Sequence, residues 1–324
     1  MAKRIRTALF ANNQPGGMFS IEDMSLTTGN RFFVDSGSAT AADSVGSGRG
    51  PDTPFATLAY ALSSDVLTAS NGDIVYVMPG HEETLSGEAD IAVDIDGVHI
   101  QGIGWEGSKP LLNIDTEHTE AAPILISADG CVLDNFKLLG INAGGSKVAI
   151  EITGDNTRIA NCDFRETSTD TELGIGEHYG IITLLDTGGA IDEVIIEYCT
   201  FYGLAGHDES FLSVTNSSNG ATNVTMRYCD IIGTFADGCI QGDQGTNVNT
   251  KWYIHNCRLG SSTDVITMDT SAVWYLSDLI VFGIAGANQP IVGYTASFMN
   301  NIQSCEPGAY SANTLTGSVS DFGS

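Results

Sequence analysis

The sequence predicts an all-β fold, a single-stranded right-handed parallel β-helix (a solenoid) opened by a short N-terminal capping helix. Three observations predict it. One apolar position recurs along most of the chain. A second short strand precedes most recurrences. Gly is abundant at 38 while Pro is scarce at 8, as many short strands joined by tight turns require.

The chain has 324 residues. A repeat fold of that size can be one domain, because each repeat buries its apolar face only against its neighbours. The expected divisions are an extended arm over residues 1–30, the coil over 31–302 and a tail over 303–324. The arm has no period. Its Lys3, Arg4 and Arg6 form a rare basic cluster in a chain of net charge −27, which makes them candidate anchoring residues. Such an arm is held either by an assembly contact or by docking on its own body.

Arg31 to Asp35 reads as a strand, and a Gly/Ser/Ala-rich loop follows to Gly50. Thr53 suits an N-cap and Pro54 the first helical position. Phe55, Leu58, Ala59 and Leu62 then form an i, i+3, i+4, i+7 stripe. Gly72 to Met78 reads as a strand closed by Pro79-Gly80.

The repeat aligns on Ile100, Leu133, Ile159, Ile196, Met226, Ile254 and Leu276, at intervals of 33, 26, 37, 30, 28 and 22 residues. An eighth copy falls at Met299. Three residues on lie Ile103, Phe136, Cys162, Cys199, Cys229, Cys257 and Leu279. Five residues on lie Trp105, Leu138, Phe164, Phe201, Ile231, Leu259 and Val281. Asn recurs two residues on at 135, 161 and 256, where a turn needs left-handed backbone. The unequal intervals place insertions at the turns. Rungs stacked about 4.8 Å apart would set these residues in ladders. A small thiol suits a tight interior site. Seven cysteines, an odd number, without zinc-like spacing, read as free buried thiols in a reducing compartment.

The run Phe33-Val34-Asp35, then Pro54 to Leu58, then Gly72 to Leu85, resembles the opening of pectate-lyase-like right-handed β-helices. The Cys and apolar ladders resemble their coils, over about Phe32 to Ile302. Within that fold the early loop resembles structural proteins of tailed bacteriophages. The resemblance implies a virion structural protein: a β-helical decoration or spike-like subunit, a homotrimer, anchored by its arm to other capsid or tail proteins and meeting host-surface polysaccharide. The alternative is a tailspike-type enzyme that binds or degrades polysaccharide, as a glycoside hydrolase or polysaccharide lyase.

The charge argues against a nucleic-acid partner, since phosphates would be repelled along most of the surface. No apolar run reaches membrane-span length. No secretion signal is legible after the basic start, so synthesis in the host cytoplasm and residence in the virion are expected. No P-loop, no GxGxxG after a strand and no GxSxG elbow occurs, so no cofactor is expected; a metal is left open.

Two sets of residues are candidates for chemistry. Four residues after the anchors lie Gly104, Lys137, Asp163, Thr200, Asp230 and Arg258. Asp163 and Asp230 would point outward two rungs apart, near the separation of an inverting carboxylate pair, or simply be solvated strand residues. Glu177 and His178 sit in the longest turn, and His207, Asp208 and Glu209 in its equivalent one rung later. Stacked, they could bind a divalent ion or a sugar, or be polar loop tips or subunit contacts. Glu177 is also a candidate acid.

Overall fold

The computed structural model describes residues 9–10, 21–22, 29–115, 122–141, 148–167, 180–185, 189–203, 210–215, 220–242, 250–261, 264–267, 273–283, 291–292 and 298–305.

It is a parallel β-helix. The expected anchors lie in direct register. Ile100 pairs with Leu133, and the ladder continues through Ile159, Ile196, Met226, Ile254, Leu276 and Met299. It also reaches back two rungs, through Val75 to Phe32. The strand after each corner forms a second ladder, Leu112, Leu138, Phe164, Phe201, Ile231, Leu259 and Val281. Both ladders belong to one 19-stranded sheet, called the first sheet below. The strands that precede the units form an eight-stranded second sheet, from Ile91–Val93 through Ile124–Ile126 and Ile150–Ile152 to Ile291–Val292. Side chains alternate across a strand, so one set from each strand fills the interior between the sheets. Phe164, Phe201 and Phe211 meet there with ring centroids 5.4 and 6.1 Å apart.

The corner between the paired strands of the first sheet explains the Asn recurrence. Asn135, Asn161, Tyr198, Tyr228, Asn256, Asp278 and Asn301 all have φ between 50° and 67°. That left-handed turn suits Asn, whose amide also bonds along the stack. Asn161 Nδ2 donates to Asp134 Oδ1 at 2.7 Å, and Asn301 Nδ2 to Asp278 Oδ1 at 2.7 Å.

The cysteine ladder faces inward, as expected. Cys162, Cys199, Cys229 and Cys257 are 0 to 3% exposed and unbridged. Each thiol points at the carbonyl two residues before it, as Cys199 Sγ does at Glu197 O, 3.4 Å away. Burial pushes the Cys162 and Cys199 thiols well above their usual range, so they pack as small hydrophobes rather than react.

Two expectations are corrected. The capping helix is a single turn, Leu58–Ala61, capped by Thr57 rather than Thr53. Phe55 is held extended instead, bridged to Val34, with its N–H bonded to Phe33 O at 2.8 Å. In the rung of Ile100, Ile103, Gly104 and Trp105 do not continue the ladders. An insertion carrying the 3₁₀ turn Glu106–Ser108 intervenes. Leu112, not Trp105, pairs with Leu138, and Trp105 is 78% exposed. Trp252 and Trp274, by contrast, meet inside the coil with ring centroids 4.5 Å apart and planes tilted by 34°.

Candidate functional site on the outward face of the first sheet

Asp163, Thr200, Asp230 and Arg258 stand on four successive rungs in direct register. The two carboxylates are therefore two rungs apart on one face, about 10 Å. Each is already engaged. Asp163 Oδ2 lies 3.0 Å from Lys109 Nζ, and its Oδ1 accepts from Thr200 Oγ1 at 2.8 Å. Lys109 comes from the insertion in the Ile100 rung and also donates to Asn161 O at 2.8 Å. It thereby reaches over the Leu133 rung. Asp230 Oδ1 lies 2.9 Å from Arg258 Nε, and Oδ2 accepts from the Tyr202 hydroxyl. That hydrogen bond, then partial burial and the Asp230 charge, push the Tyr202 phenol above its usual range. The Arg165 guanidinium lies 4.9 Å from the Tyr202 ring centroid, within cation–π range.

Inverting glycosidases need one carboxyl group kept protonated and one ionised. Here each carboxylate is instead held by a cation and a hydroxyl of the same face. The face carries fixed charges and hydroxyls that can orient a polar polymer or a protein surface.

Beside it lies a second group that sequence reasoning missed. Glu197, one residue after its anchor, has a side chain only 2% exposed. Its Oε1 accepts from Arg158 Nε at 2.7 Å and from Nη2, and its Oε2 accepts from Arg227 Nε at 2.5 Å. Burial alone would raise the Glu197 carboxyl. The two guanidinium groups outweigh it and hold the group below the usual range. The signal was present in the same alignment: Arg158 and Arg227 flank the anchors of the neighbouring rungs, on the outward side of the alternation. Tyr198 and Tyr228 stack at 5.0 Å along the corner and are 49% and 47% exposed. His255 meets the Tyr228 ring edge-on at 6.0 Å and is pushed down by burial and by Arg227.

Glu177, His178, His207, Asp208 and Glu209 lie outside the described residues, as do Lys3, Arg4 and Arg6. Among the described residues, no group of three His, Cys, Asp or Glu side chains is placed to hold a metal ion, and no helix is long and apolar enough to cross a membrane.

No protein-family model and no curated protein matches the chain. It is similar to the solved structure of a rhamnogalacturonan lyase, at 14% identity over 85% of this chain and 87% of that one, with a TM-score of 0.42. A pectin methylesterase from Aspergillus niger shares 12% identity over 88% and 89%, with a TM-score of 0.35. A GH136 lacto-N-biosidase from Eubacterium ramulus shares 8% over 85% and 68%, with a TM-score of 0.33. Likeness this distant carries no argument about activity. Fold and face together define a parallel β-helix with an ion-paired outward sheet.

Proposed function

We propose that the chain is a non-catalytic structural subunit of a tailed-phage particle, a β-helical decoration or spike-like rod. The observation that carries the non-catalytic part is the engagement of Asp163 by Lys109 and Thr200 and of Asp230 by Arg258 and Tyr202. A carboxylate already occupied on both oxygens by fixed partners of its own face does not stand open to a leaving group. The virion part rests on the resemblance of the early loop and on the basic arm. Two short strands of the arm, Leu9–Phe10 and Ile21–Glu22, pair with each other and join neither coil sheet, which suits a separate attachment element. Lys3, Arg4 and Arg6 would dock it on an acidic shell protein, and the rod would present its outward face towards host-surface glycan.

The test is incubation of the purified chain with capsule and lipopolysaccharide preparations, read for reducing ends and unsaturated sugars. No release is expected. Release that disappears on Asp163→Asn or Glu177→Gln substitution would replace this reading with the tailspike-type enzyme.

A further inference from the structure

Stacking sets like residues over one another outside the coil as well as inside, and outside it two pairs of tyrosines meet. Tyr198 and Tyr228 follow the paired residues Glu197 and Arg227 at the corner of the first sheet. Both have φ 55°, so the two side chains leave the backbone in the same direction. Their ring centroids lie 5.0 Å apart and the planes are 9° from parallel. Tyr253 and Tyr275 are direct partners on adjacent strands, with centroids 4.8 Å apart and planes again 9° from parallel. Phe298 extends the second stack at 5.1 Å. Tyr198, Tyr228 and Tyr253 are exposed and Tyr275 is partly so, so solvent-borne reagents reach both pairs.

Within each pair the rings cover each other's faces, which closes those faces to a sugar or a further aromatic ring. What remains open is the ring edge, and the edge carries the hydroxyl and the ortho carbons beside it. The other described tyrosines stand apart from any such partner. Tyr202 gives its hydroxyl to Asp230 and faces the Arg165 guanidinium. Tyr60 packs on Phe55 and Tyr76 on Phe33.

We infer that Tyr198 with Tyr228, and Tyr253 with Tyr275, are modification sites for oxidative coupling, each pair joined by a dityrosine bond when a peroxide and a one-electron catalyst such as a haem peroxidase are supplied. Each phenol loses one electron and one proton. The two phenoxyl radicals couple between ortho carbons, and the hydrogens on those carbons leave as protons while the oxygens regain theirs and the rings become aromatic again. A pair thus loses two hydrogen atoms in all, and one hydrogen peroxide takes them up as it becomes two waters. Exposed side chains change rotamer in picoseconds to nanoseconds, so the rings can swing from face-to-face to edge-to-edge over a fixed backbone. Rings already paired also react with the advantage of an intramolecular step over an encounter between two chains. Each bond ties neighbouring rungs, Ile196 to Met226 and Ile254 to Leu276. It closes a loop of the unfolded chain, and so opposes unfolding as a disulfide does. The inference needs only the register of the coil and is independent of the structural-subunit reading.

The test treats the full chain, at high dilution, with hydrogen peroxide and a haem peroxidase. Denaturing electrophoresis, dityrosine fluorescence and peptide mass spectrometry read the product. It should stay at one chain mass, 34.1 kDa. It should yield two cross-linked peptide pairs, one joining Tyr198 to Tyr228 and one joining Tyr253 to Tyr275, each lighter than its parts by two hydrogens. Tyr228→Phe should abolish the first link alone, and Tyr275→Phe the second alone, because Phe keeps the ring and removes the phenol. The doubly substituted chain should lose the single-chain fluorescence. Treated wild type should unfold at higher urea than untreated, and the double variant should show no such gain. Coupling only between chains overturns the inference, as does coupling of Tyr60, Tyr76 or Tyr202 in place of the two pairs. So does an uncoupled chain in a solution where a free tyrosine peptide is coupled.

Discussion

The Glu197 triad gives the sharpest prediction, because its members differ in burial. The carboxylate is 2% exposed, while the Arg158 and Arg227 side chains are 37% and 39% exposed. The charge that cannot be left alone is therefore Glu197. Replacing one arginine by Met leaves the other guanidinium in place and should cost about 1–3 kcal/mol. Replacing both strands a buried carboxylate and should cost about 3–5 kcal/mol. Glu197→Leu leaves two arginines that water can solvate, and should cost about 1 kcal/mol or less. The ordering matters more than the values. Urea unfolding at pH 7, followed by circular dichroism, measures it. A double arginine variant within about 1 kcal/mol of wild type, or a Glu197→Leu variant less stable than it, would refute the reasoning. The pH dependence has a definite sign. The folded carboxyl lies below its unfolded value, so the triad's contribution is complete above about pH 4.3, the ordinary glutamate value, and is lost as pH falls through the folded value. The double variant should lack that acid-side loss.

Three more outcomes are expected. Cys162, Cys199, Cys229 and Cys257 should resist a thiol reagent in the native state, and Cys199→Asp should cost about 3–5 kcal/mol by burying a carboxyl group without a partner; rapid native labelling of all four contradicts the inward ladder. Asn161→Ala loses both its tolerance of φ 53° and its bond to Asp134, and a thermal melt should report a loss of about 1–2 kcal/mol. Deleting residues 1–28 should leave the coil's melting transition in place, since neither described strand of that segment, Leu9–Phe10 or Ile21–Glu22, pairs with the coil sheets; loss of the transition would show that the coil needs the arm.

Much of the coil was legible because its period is carried by inward residues. Stacking forces like onto like, so Ile159 over Leu133 and Cys199 over Cys162 leave a mark in the sequence that unequal turns do not erase. The alignment failed where an insertion sits between the paired strands of one rung. Trp105 has the right spacing from Ile100 and the wrong place, because residues 103–110 form a loop before the chain returns at Leu111. The helix starts one turn later than its stripe suggests because the stripe includes Phe55, whose backbone is taken by the parallel bridge to Val34. The outward side was less legible. Asp163 and Asp230 were found by spacing, but their partners come from elsewhere: Lys109 from the insertion, Tyr202 from the next outward position of its own strand. An aspartate ladder, Asp96, Asp129, Asp155 and Asp192, stands at a fixed offset four residues before the anchors, each N–H after the first bonded to the preceding Oδ1. It is less visible because every aligned ladder follows its anchor, whereas this one precedes it.

The proposed structural role requires the chain to be part of a particle. On the proposed virion reading, purified phage particles should contain this protein in fixed, stoichiometric amount by quantitative mass spectrometry. An antibody against the coil should label their capsid or tail in electron micrographs. Particles that lack the chain, with the protein remaining in the lysate, would contradict the structural-subunit reading.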